Sequence, residues 1–341
     1  MDRKVNWGIL GCAGIAEKAF IPAVGESRNG VLAGIAARDE NRARDWAGRF
    51  GFLKSHRTYQ ELVEDPGIDA VYNPLPNDLH AEWSIRAMRA GKHVLCEKPM
   101  AMNAGEVREM IGAAEAGRVL LMEGFMYKFH PQMEKAAALI RQGRIGEVRA
   151  VHSSFTFQFE RDGANYRWFP AMGGGALYDV GCYTTSVARL VFGAEPVSVF
   201  ATARIDPATG VDMTTAAVLE FPGGRFAHCD SSFEAHFQSR LLAVGTEGTL
   251  ALDRAFSAKD FDVAIEIIQG DAKEAVRIPQ ANMFTLMVEH FGDALLGRVP
   301  LLYPPEDAFG NMRAIDACFE SIRTGRAVEI PDTIHQGGVV S

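Results

Sequence analysis

The sequence predicts an α/β amino-terminal domain built on a doubly wound parallel sheet, followed by an α+β domain with a large, mostly antiparallel open sheet. From Val5 to about Gly124, short apolar runs alternate with longer amphipathic runs, which is typical of a parallel sheet covered by helices. After Gly146 the runs alternate between polar and apolar residues, which indicates strands with one face on a core. We therefore expect two domains, residues 1–124 and residues 125–341.

Short apolar runs in the first domain predict strands at residues 5–10, 31–37, 70–73, 93–96 and 119–123. Amphipathic runs predict helices near residues 15–27, 41–50, 79–90 and 104–116. The last three of these helices end at Gly51, Gly91 and Gly117, where we expect the left-handed glycine that often closes a helix. We expect the Asn77-Asp78 pair to cap the helix that begins near residue 79.

The second domain is predicted to combine strands and helices. Its strand-like runs lie at residues 148–159, 197–205, 214–221, 225–235, 240–246 and 263–269. A helix is expected from Leu177 to Phe192, directly after three consecutive glycines that end at Gly175. The stretch from Met283 to Arg323 returns to helical spacing.

The composition disfavours several classes of protein. The 341 residues are 48% hydrophobic and carry a net charge of -8 with scattered basic residues, which argues against nucleic-acid binding. The first residues do not complete a signal peptide, and no apolar run reaches the roughly 20 residues of a membrane span. The five cysteines form no CxxC pair, so we expect reduced thiols, no metal site and a cytoplasmic protein.

The turn after the first predicted strand is a candidate dinucleotide site. It consists of Gly11, Cys12, Ala13, Gly14 and Ile15, followed by a helix. Backbone N–H groups and the positive end of a helix dipole can bind a pyrophosphate at such a turn. Only Gly11 is in register with G-x-G-x-x-G, because alanines occupy the other two glycine positions. The alternative interpretation is a tight turn that binds no ligand.

The end of the second predicted strand bears on the choice of cofactor. NAD-preferring enzymes have an acidic residue there that binds the adenosine ribose. Here the strand ends in Ala37-Arg38-Asp39, and a guanidinium can pair with the additional phosphate of NADP. We therefore expect NADP rather than NAD, the alternative being a solvated Arg38 beside a helix-capping Asp39.

Two polar segments are candidates for catalysis. Glu97-Lys98-Pro99 directly follows a predicted parallel strand, at the sheet edge where ligands bind, and a partly desolvated lysine can promote proton transfer. Asp179 and Tyr183 lie four residues apart on a predicted helix and so share one face. The alternatives are an ordinary loop for the first segment, and a capping Asp179 with a core Tyr183 for the second.

Several stretches in order resemble the Gfo/Idh/MocA oxidoreductases over almost the whole chain: WGILGCAGIA, YNPLPNDLHAEW, VLCEKPMAMN, MEGFMYKFHPQ, YRWFPAMGGGALYDVGCY and VGTEGTLALD. They are similar to the branch that holds NADP-dependent sugar dehydrogenases, such as D-xylose 1-dehydrogenases, and dimeric dihydrodiol dehydrogenases. Two positions depart from the family pattern, since Ala13 replaces a common glycine and Thr184 replaces a proline frequent in this branch.

The resemblance implies an amino-terminal Rossmann domain and roles for particular residues. The implied catalytic residues are Lys98, Asp179 and Tyr183. The implied cofactor cleft is lined by Gly11, Arg38, Pro76, Asn77, His80, Glu97 and Lys98. Tyr127, Phe129 and His130 are expected to approach the substrate pocket, together with Arg167 and Trp168, which could clamp or stack on a sugar. Ordinary packing is the alternative for these last five residues.

The expected reaction is hydride transfer between a carbinol carbon of a sugar or polyol and the nicotinamide, as in an NADP-dependent aldose 1-dehydrogenase. Tyr183 would act as the leading general base, Lys98 would lower the phenol pKa from ~10, and Asp179 would orient the lysine or a second hydroxyl. Either Tyr183 or Lys98 can give the final proton, since a coupled pair can share that role. Alternatives are a trans-dihydrodiol dehydrogenase, a dicarbonyl or ketosugar reductase, and a non-catalytic NADP-binding regulator. The expected partners are a small substrate and further copies of the chain, in a homodimer or homotetramer through the second sheet.

Overall fold

The computed structural model describes residues 3–161, 163 and 165–331. The last ten residues of the predicted second domain, 332–341, lie outside the described residues. The predicted boundary at residues 124 and 125 falls directly after the last strand of the first sheet and stays a prediction. Within the described part of the chain, no helix combines the length and the apolar character needed to cross a bilayer.

The first sheet has six parallel strands in the order β3-β2-β1-β4-β5-β6. They are β1 (Val5–Leu10), β2 (Gly30–Ala36), β3 (Lys54–His56), β4 (Ala70–Asn73), β5 (His93–Cys96) and β6 (Leu121–Glu123). The strand order reverses between β1 and β4, and ligands bind in the crevice outside the carboxyl ends of strands at such a point. The predicted parallel sheet is confirmed, with bounds that differ from the prediction by at most two residues for each predicted strand.

Helices connect these strands and cover both faces of the first sheet. They are α1 (Ile21–Glu26), α2 (Glu40–Phe50), α3 (Tyr59–Glu64), α4 (His80–Arg89) and α5 (Ala104–Gly117), with a π-helical turn at Ala16–Phe20 before α1. Sequence patterns did not predict β3 or α3. A three-residue strand and a six-residue helix are too short to show a clear hydrophobic period.

The predicted left-handed glycine at the end of α5 is wrong. Gly117 is the last residue of the helix, and Arg118 adopts the left-handed conformation with φ of 52°. A Cβ on Gly117 would lie 2.7 Å from the carbonyl oxygen of Met88 on α4. The glycine is therefore required for the close approach of two helices, and the chain turns one residue later. Gly51 does close α2 in the left-handed conformation, as predicted.

The predicted cap at Asn77-Asp78 is also wrong. Neither the short 3-10 turn at Asn77–Leu79 nor α4 receives a side-chain cap hydrogen bond. The Asn77 amide instead donates to the carbonyl oxygen of Gly173 at 2.9 Å, in the second half of the chain. A long-range partner has replaced the local one, which a sequence pattern does not reveal.

Within the described residues, the second sheet has nine strands in the order β14-β13-β12-β11-β7-β10-β9-β8-β15, and its single parallel pair there is β7 with β10. They are β7 (Val148–Gln158), β8 (Ser198–Ile205), β9 (Asp212–Phe221), β10 (Arg225–Ser232), β11 (Glu234–Gly245), β12 (Thr249–Leu252), β13 (Val263–Gln269), β14 (Ala272–Ile278) and β15 (Val328–Glu329). The mostly antiparallel second sheet is confirmed. The predicted run 225–235 joins two strands, because the chain reverses at the buried Phe233.

The helices of the second domain pack on both halves of the chain. They are α6 (Pro131–Arg141), α7 (Cys182–Phe192), α8 (Met283–Leu295) and α9 (Pro305–Thr324). Helices α7 and α9 contact the second sheet, whereas α8 packs against α1 and β2 of the first domain. The predicted helix at 177–192 begins as a wider π-helical turn, Leu177–Gly181, in which the amide of Cys182 donates to the carbonyl oxygen of Leu177. Such turns occur frequently at functional sites.

An ion cluster joins the first domain to α8. Asp293 is buried and accepts hydrogen bonds from Arg28, Asn29 and Arg298. Nη1 of Arg28 and Nη1 of Arg298 each lie 3.1 Å from the carboxylate oxygen Oδ1, and Nη2 of Arg28 binds the other oxygen, Oδ2. The pKa of Asp293 is lowered to about 2, and the hydrogen bond from Arg28 is the largest cause. The cluster therefore fixes the start of β2 against α8 at neutral pH.

We expect Asp293→Asn to lower the free energy of unfolding at pH 7 by about 1–3 kcal/mol, since it weakens hydrogen bonds to charged groups. The folded-state pKa is depressed from 3.8 to about 2, so the stabilisation is present above pH 4 and is lost as the pH falls towards 2. Urea unfolding across this range measures the difference from wild type. Asp253→Asn, at an exposed carboxylate paired with Arg240, is the matched control. A deficit that stays constant down to pH 2 would contradict the assignment.

Candidate active site

A cleft of about 960 Å³ lies outside the carboxyl ends of β1 and β4. The turn after β1, the end of β2 and the loops after β4 and β5 form one side of it. Residues of β7, of the loop before α7 and of the π-helical turn form the other side. The cleft therefore lies between the two sheets, at the place where the strand order predicts ligand binding.

All five residues predicted for the pyrophosphate turn line this cleft: Gly11, Cys12, Ala13, Gly14 and Ile15. Gly11 has φ of 84° and donates its amide to the carbonyl oxygen of Ala36 at 2.7 Å. A Cβ there would lie 3.0 Å from Leu75, so the turn brings backbone close to the loop after β4. At Gly14, in contrast, an added Cβ would meet open space. The cleft therefore has room for a dinucleotide against the backbone of this turn.

Two arginines lie at the mouth of the cleft, beyond the end of β2. Arg38 is exposed and lines the cleft, and its predicted role in NADP binding stays a prediction. Arg42, in the first turns of α2, also lines it and donates to the carbonyl oxygen of Cys12 at 3.1 Å. Asp39 caps α2 by accepting from the Asn41 amide at 2.9 Å. Sequence reasoning missed Arg42, although its spacing of four residues from Arg38 places both near one helix start.

The predicted residues Pro76, Asn77 and His80 line the cleft from the loop after β4. His80 is fully buried, with its ring nitrogens 2.7 Å from the carbonyl oxygen of Leu75 and 2.8 Å from that of Pro99. Burial lowers the His80 pKa to about 4, so the ring is neutral at pH 7 and donates to one of these carbonyls. It therefore links the loop after β4 to the loop that carries Lys98.

Lys98, Asp179 and Arg167 form an ion cluster at the centre of the cleft, in which the carboxylate is buried and the two cations are partly exposed. The Lys98 ammonium lies 2.7 Å from the carbonyl oxygen of Asp179 and 3.2 Å from its carboxylate oxygen Oδ1. The Arg167 guanidinium binds both carboxylate oxygens, each at 2.8 Å. This bidentate pair fixes the plane of the carboxylate as well as its position. The cluster joins the loop after β5 to the π-helical turn across the cleft.

Burial and charge oppose each other in this cluster. Burial of Asp179 disfavours its charged form, but Arg167 and then Lys98 hold the carboxyl pKa well below its usual range. Burial likewise disfavours the Lys98 ammonium, and Asp179 outweighs it to raise the lysine pKa well above its usual value. Both groups are therefore ionised at neutral pH, and Lys98 is a hydrogen-bond donor rather than a base.

Tyr183 lies beside this cluster in an aromatic environment. Its side chain is buried, and its ring packs edge-on against Phe125 and Phe155. The Lys98 ammonium lies over the ring, 5.1 Å from its centre, and the hydroxyl contacts the Met126 sulfur at 3.4 Å. Burial raises the phenol pKa, against the smaller opposing effect of Lys98. Lys98 lowers the phenol pKa as expected, but burial outweighs its effect. The expected net lowering towards neutral pH is therefore wrong.

Glu97 fixes the backbone position from which Lys98 extends. It is buried, lines the cleft, and accepts a hydrogen bond from the Tyr72 hydroxyl at 2.6 Å. Burial raises its carboxyl pKa, and Lys98 lowers it by less. Because Glu97 is anchored to β4, the start of the Lys98 loop is fixed relative to the sheet.

The residues predicted for substrate binding separate into two groups. Arg167, Asp179 and Tyr183 line the cleft. Four others lie outside its described lining: Tyr127, Phe129, His130 and Trp168. Their side chains have partners elsewhere, since the Tyr127 hydroxyl donates to Ser186 and His130 caps α6. Phe129 packs against Tyr303, and Trp168 stacks on Phe159.

Aromatic residues that sequence reasoning missed line the side of the cleft formed by the second domain. Phe155 and Phe157 come from β7, and Tyr166 comes from the turn before Arg167. We call these three residues the aromatic wall. The sequence contained one signal, because Phe155 and Phe157 are two apart on a strand and so share a face. The cleft thus combines charged groups at its centre with an apolar surface beside them.

Comparison with known proteins gives matches over both halves of the chain. Residues 5–125 match the family model described as an oxidoreductase family with an NAD-binding Rossmann fold, and residues 133–251 match the GFO/IDH/MocA C-terminal domain. The chain is 39% identical to D-xylose 1-dehydrogenase (NADP(+)) 2 of Haloferax volcanii, over 95% of this chain and 99% of that one. It is 33% identical to trans-1,2-dihydrobenzene-1,2-diol dehydrogenase of Mus musculus, over 79% of each.

A solved structure matches the whole fold. A 3-ketoreductase from Actinomadura kijaniata, crystallised with NADP and TDP-benzene, superposes with a TM-score of 0.89 at 32% identity. The match covers 94% of this chain and 98% of that one. The relative orientation of the two sheets around the cleft is therefore shared with an enzyme crystallised with NADP.

We expect Asp179→Asn to lower the free energy of unfolding by about 3–5 kcal/mol, because it leaves Lys98 and Arg167 as neighbouring, largely enclosed cations without a carboxylate. Asp230→Asn is the matched control, since Asp230 is a partly buried aspartate whose partner is the neutral Ser154 hydroxyl. The control should lose about 1 kcal/mol or less. Denaturant titration at pH 7 measures both. Equal losses in the two variants would contradict the ion cluster.

Proposed function

The chain belongs to the Gfo/Idh/MocA oxidoreductase family, and from that premise we propose that it transfers a hydride between a carbinol carbon of a sugar or polyol and NADP. The observation that carries this proposal is the ionised Lys98–Asp179 pair beside Tyr183, facing a dinucleotide-sized cleft. The finer assignment is an NADP-dependent aldose 1-dehydrogenase. It is supported by the 39% identity to an NADP-dependent D-xylose 1-dehydrogenase.

NADP, when bound, supplies the nicotinamide carbon that accepts or gives the hydride. In this proposal Lys98 donates a hydrogen bond to the substrate oxygen, and Asp179 keeps the ammonium ionised and oriented. Arg167 holds the carboxylate in place through its bidentate pair. Tyr183 exchanges a proton with the same substrate oxygen. These residues position the reacting groups and stabilise the charge that develops on that oxygen.

One observation favours a second candidate, a ketosugar or dicarbonyl reductase. Because burial raises the Tyr183 pKa, the phenol is protonated at neutral pH and can donate a proton to a carbonyl oxygen as reduction proceeds. The solved 3-ketoreductase structure at 32% identity supports the same direction. Oxidation requires the opposite protonation state, a phenolate that has already lost its proton to solvent and accepts the proton of the substrate hydroxyl as hydride leaves. The two candidates therefore differ in preferred direction rather than in site residues.

The aromatic wall adds a constraint on the substrate. Phe155 and Phe157 present ring faces or edges, and such surfaces pack against the C–H face of a pyranose or an apolar ring. The charged cluster at the centre binds hydroxyl oxygens. We propose a substrate with a hydroxylated reacting end and an apolar face, which both a pyranose and a cyclic diol satisfy.

We also propose that the chain associates with further copies through its second sheet. The face away from α7 and α9 exposes the large apolar residues Phe200, Val218 and Phe226, which are 47%, 37% and 41% exposed. They lie on the adjacent strands β8, β9 and β10. Burying such a surface between identical subunits would remove it from water.

Absorbance at 340 nm tests the activity directly. The protein is offered NADP, and separately NAD, with a panel of aldoses, inositols and vicinal diols, and then NADPH with the corresponding carbonyl compounds. The proposal predicts turnover of at least one pyranose or its keto form. Tight binding of NADP without turnover of any compound would instead indicate a non-catalytic regulator.

We expect Arg38→Ala and Arg42→Ala each to weaken NADP binding by about 10- to 100-fold, because each removes a charge-assisted contact to the additional phosphate. NAD binding should change by about twofold or less. Arg44→Ala is the matched control, because Arg44 pairs with Glu40 on the same helix and does not line the described cleft. Fluorescence titration with both cofactors measures the constants. Equal losses for NAD and NADP would contradict the assignment.

We expect Tyr183→Phe to lower kcat by about 10²- to 10⁴-fold, the usual contribution of general acid–base catalysis. NADP affinity should stay within about twofold of wild type. Tyr127→Phe is the matched control, since Tyr127 is an equally buried tyrosine whose hydroxyl bonds Ser186 outside the cleft lining. Steady-state kinetics with the best substrate measures both variants. Unchanged turnover in Tyr183→Phe would remove the phenol from the mechanism.

A further inference from the structure

Asp212, the first residue of β9, faces the start of the π-helical turn that carries Asp179. Its side chain is buried, and its oxygen Oδ2 accepts hydrogen bonds from the Leu177 amide at 2.7 Å and from the Thr215 hydroxyl at 3.0 Å. The Ala176 amide also contributes a hydrogen bond to this carboxylate. Asp212 is 35 residues from Leu177 in the sequence, so the contact is a tertiary one.

The helix that carries Asp179 and Tyr183 has no cap of its own. Its first residues leave backbone N–H groups without intrahelical partners, as every helix start does. The residue before the turn is Ala176, which makes no side-chain cap hydrogen bond. A carboxylate is well suited to this position, because it accepts these N–H groups and faces the positive end of the helix dipole. Asp212 therefore caps this helix start from a neighbouring strand, whereas a cap is usually a Ser, Thr or Asp directly before the helix.

Gly175 makes this approach of the carboxylate possible. Its φ is 110°, a conformation that other residues rarely adopt. A Cβ at this position would lie 2.0 Å from the Asp212 oxygen Oδ1. The glycine therefore leaves the space in which the Asp212 carboxylate reaches the helix start.

We propose that Asp212 is a positioning residue for the reaction: it fixes the turn Leu177–Gly181 so that Asp179 lies between Lys98 and Arg167. Asp179 is two residues after the amide that Asp212 holds, and both its carbonyl and its carboxylate bind Lys98. A shift of the turn would therefore move the acceptors of the ammonium that binds the substrate oxygen. This inference rests on the proposed function for its catalytic consequence.

The electrostatics of Asp212 agree with a positioning role. Burial raises its pKa to about 6, and hydrogen bonds from the Leu177 amide and the Thr215 hydroxyl lower it by less. Because the folded-state pKa exceeds the ordinary 3.8, the charged carboxylate lowers the stability of the fold as the pH rises through 6. The nearby titratable side chain is Tyr178, on the same turn, which is neutral over this range. A residue that lowers stability when charged is not there for stability alone.

Hydrogen exchange and kinetics on Asp212→Ala, Asp212→Asn and the control Asp230→Asn test the proposal. In Asp212→Ala, amides 176–183 should exchange about tenfold faster and kcat should fall about tenfold, the effect of one lost helix cap. NADP affinity should change by about twofold or less. Asn accepts the same amide, so Asp212→Asn should keep kcat within about threefold of wild type. Asp230→Asn should resemble wild type in both measurements.

The outcomes separate the proposal from a merely structural role. Faster exchange in Asp212→Ala with wild-type kcat would overturn it, and so would unchanged exchange. If Asp212→Ala does not fold, Thr215→Val removes the hydroxyl that holds the carboxylate and should give a smaller loss in the same direction; wild-type exchange and kcat in that variant would overturn the proposal. Hydrogen exchange does not depend on turnover. A wild-type protein that turns over no sugar or diol therefore contradicts the proposed function, while the exchange data still test the role of Asp212.

Discussion

The structure depends on one buried interaction, the Asp179 carboxylate held between Lys98 and Arg167. It joins a loop at the edge of the parallel sheet to a helical turn over the antiparallel sheet. Lys98 comes from the first domain, whereas Asp179 and Arg167 come from the second. The ion cluster therefore forms only when the two domains are packed together. Breaking such a pair by removing one partner is costly, because the remaining charges stay largely enclosed. The interaction that orients the Lys98 ammonium therefore also fixes the two sides of the cleft relative to each other.

Burial determines the role of the tyrosine. A phenol enclosed by Phe125, Phe155 and Met126 loses solvation for its charged form, and the ammonium over its ring offsets only part of that loss. The site therefore contains a cationic donor, an ionised carboxylate and a neutral phenol at neutral pH. The neutral phenol of Tyr183 can protonate a carbonyl oxygen readily. It accepts a proton only when a bound substrate or cofactor changes its environment.

The sequence predicted most of what depends on local pattern. Alternation of apolar runs predicted both sheets. The resemblance to the family, rather than local pattern, implied that Lys98, Asp179 and Tyr183 belong to one site. The sequence did not predict features that depend on tertiary contact. Asp212 caps a helix from a strand distant in sequence. Asn77 bonds Gly173 instead of capping its own helix, and Gly117 allows α5 to pack closely against α4. Tyr127 and Trp168 resembled pocket residues, but each has a packing partner outside the cleft lining.

The most direct test of the account is the transfer of deuterium from substrate to cofactor. The protein is incubated with NADP and an aldose carrying deuterium at the carbinol carbon that reacts, and the mass of the NADPH formed is measured. The account predicts that the NADPH gains one deuterium, because hydride passes directly from substrate to cofactor across the cleft. NADPH without deuterium, or no NADPH from any aldose and no consumption of NADPH with any keto sugar, would contradict it.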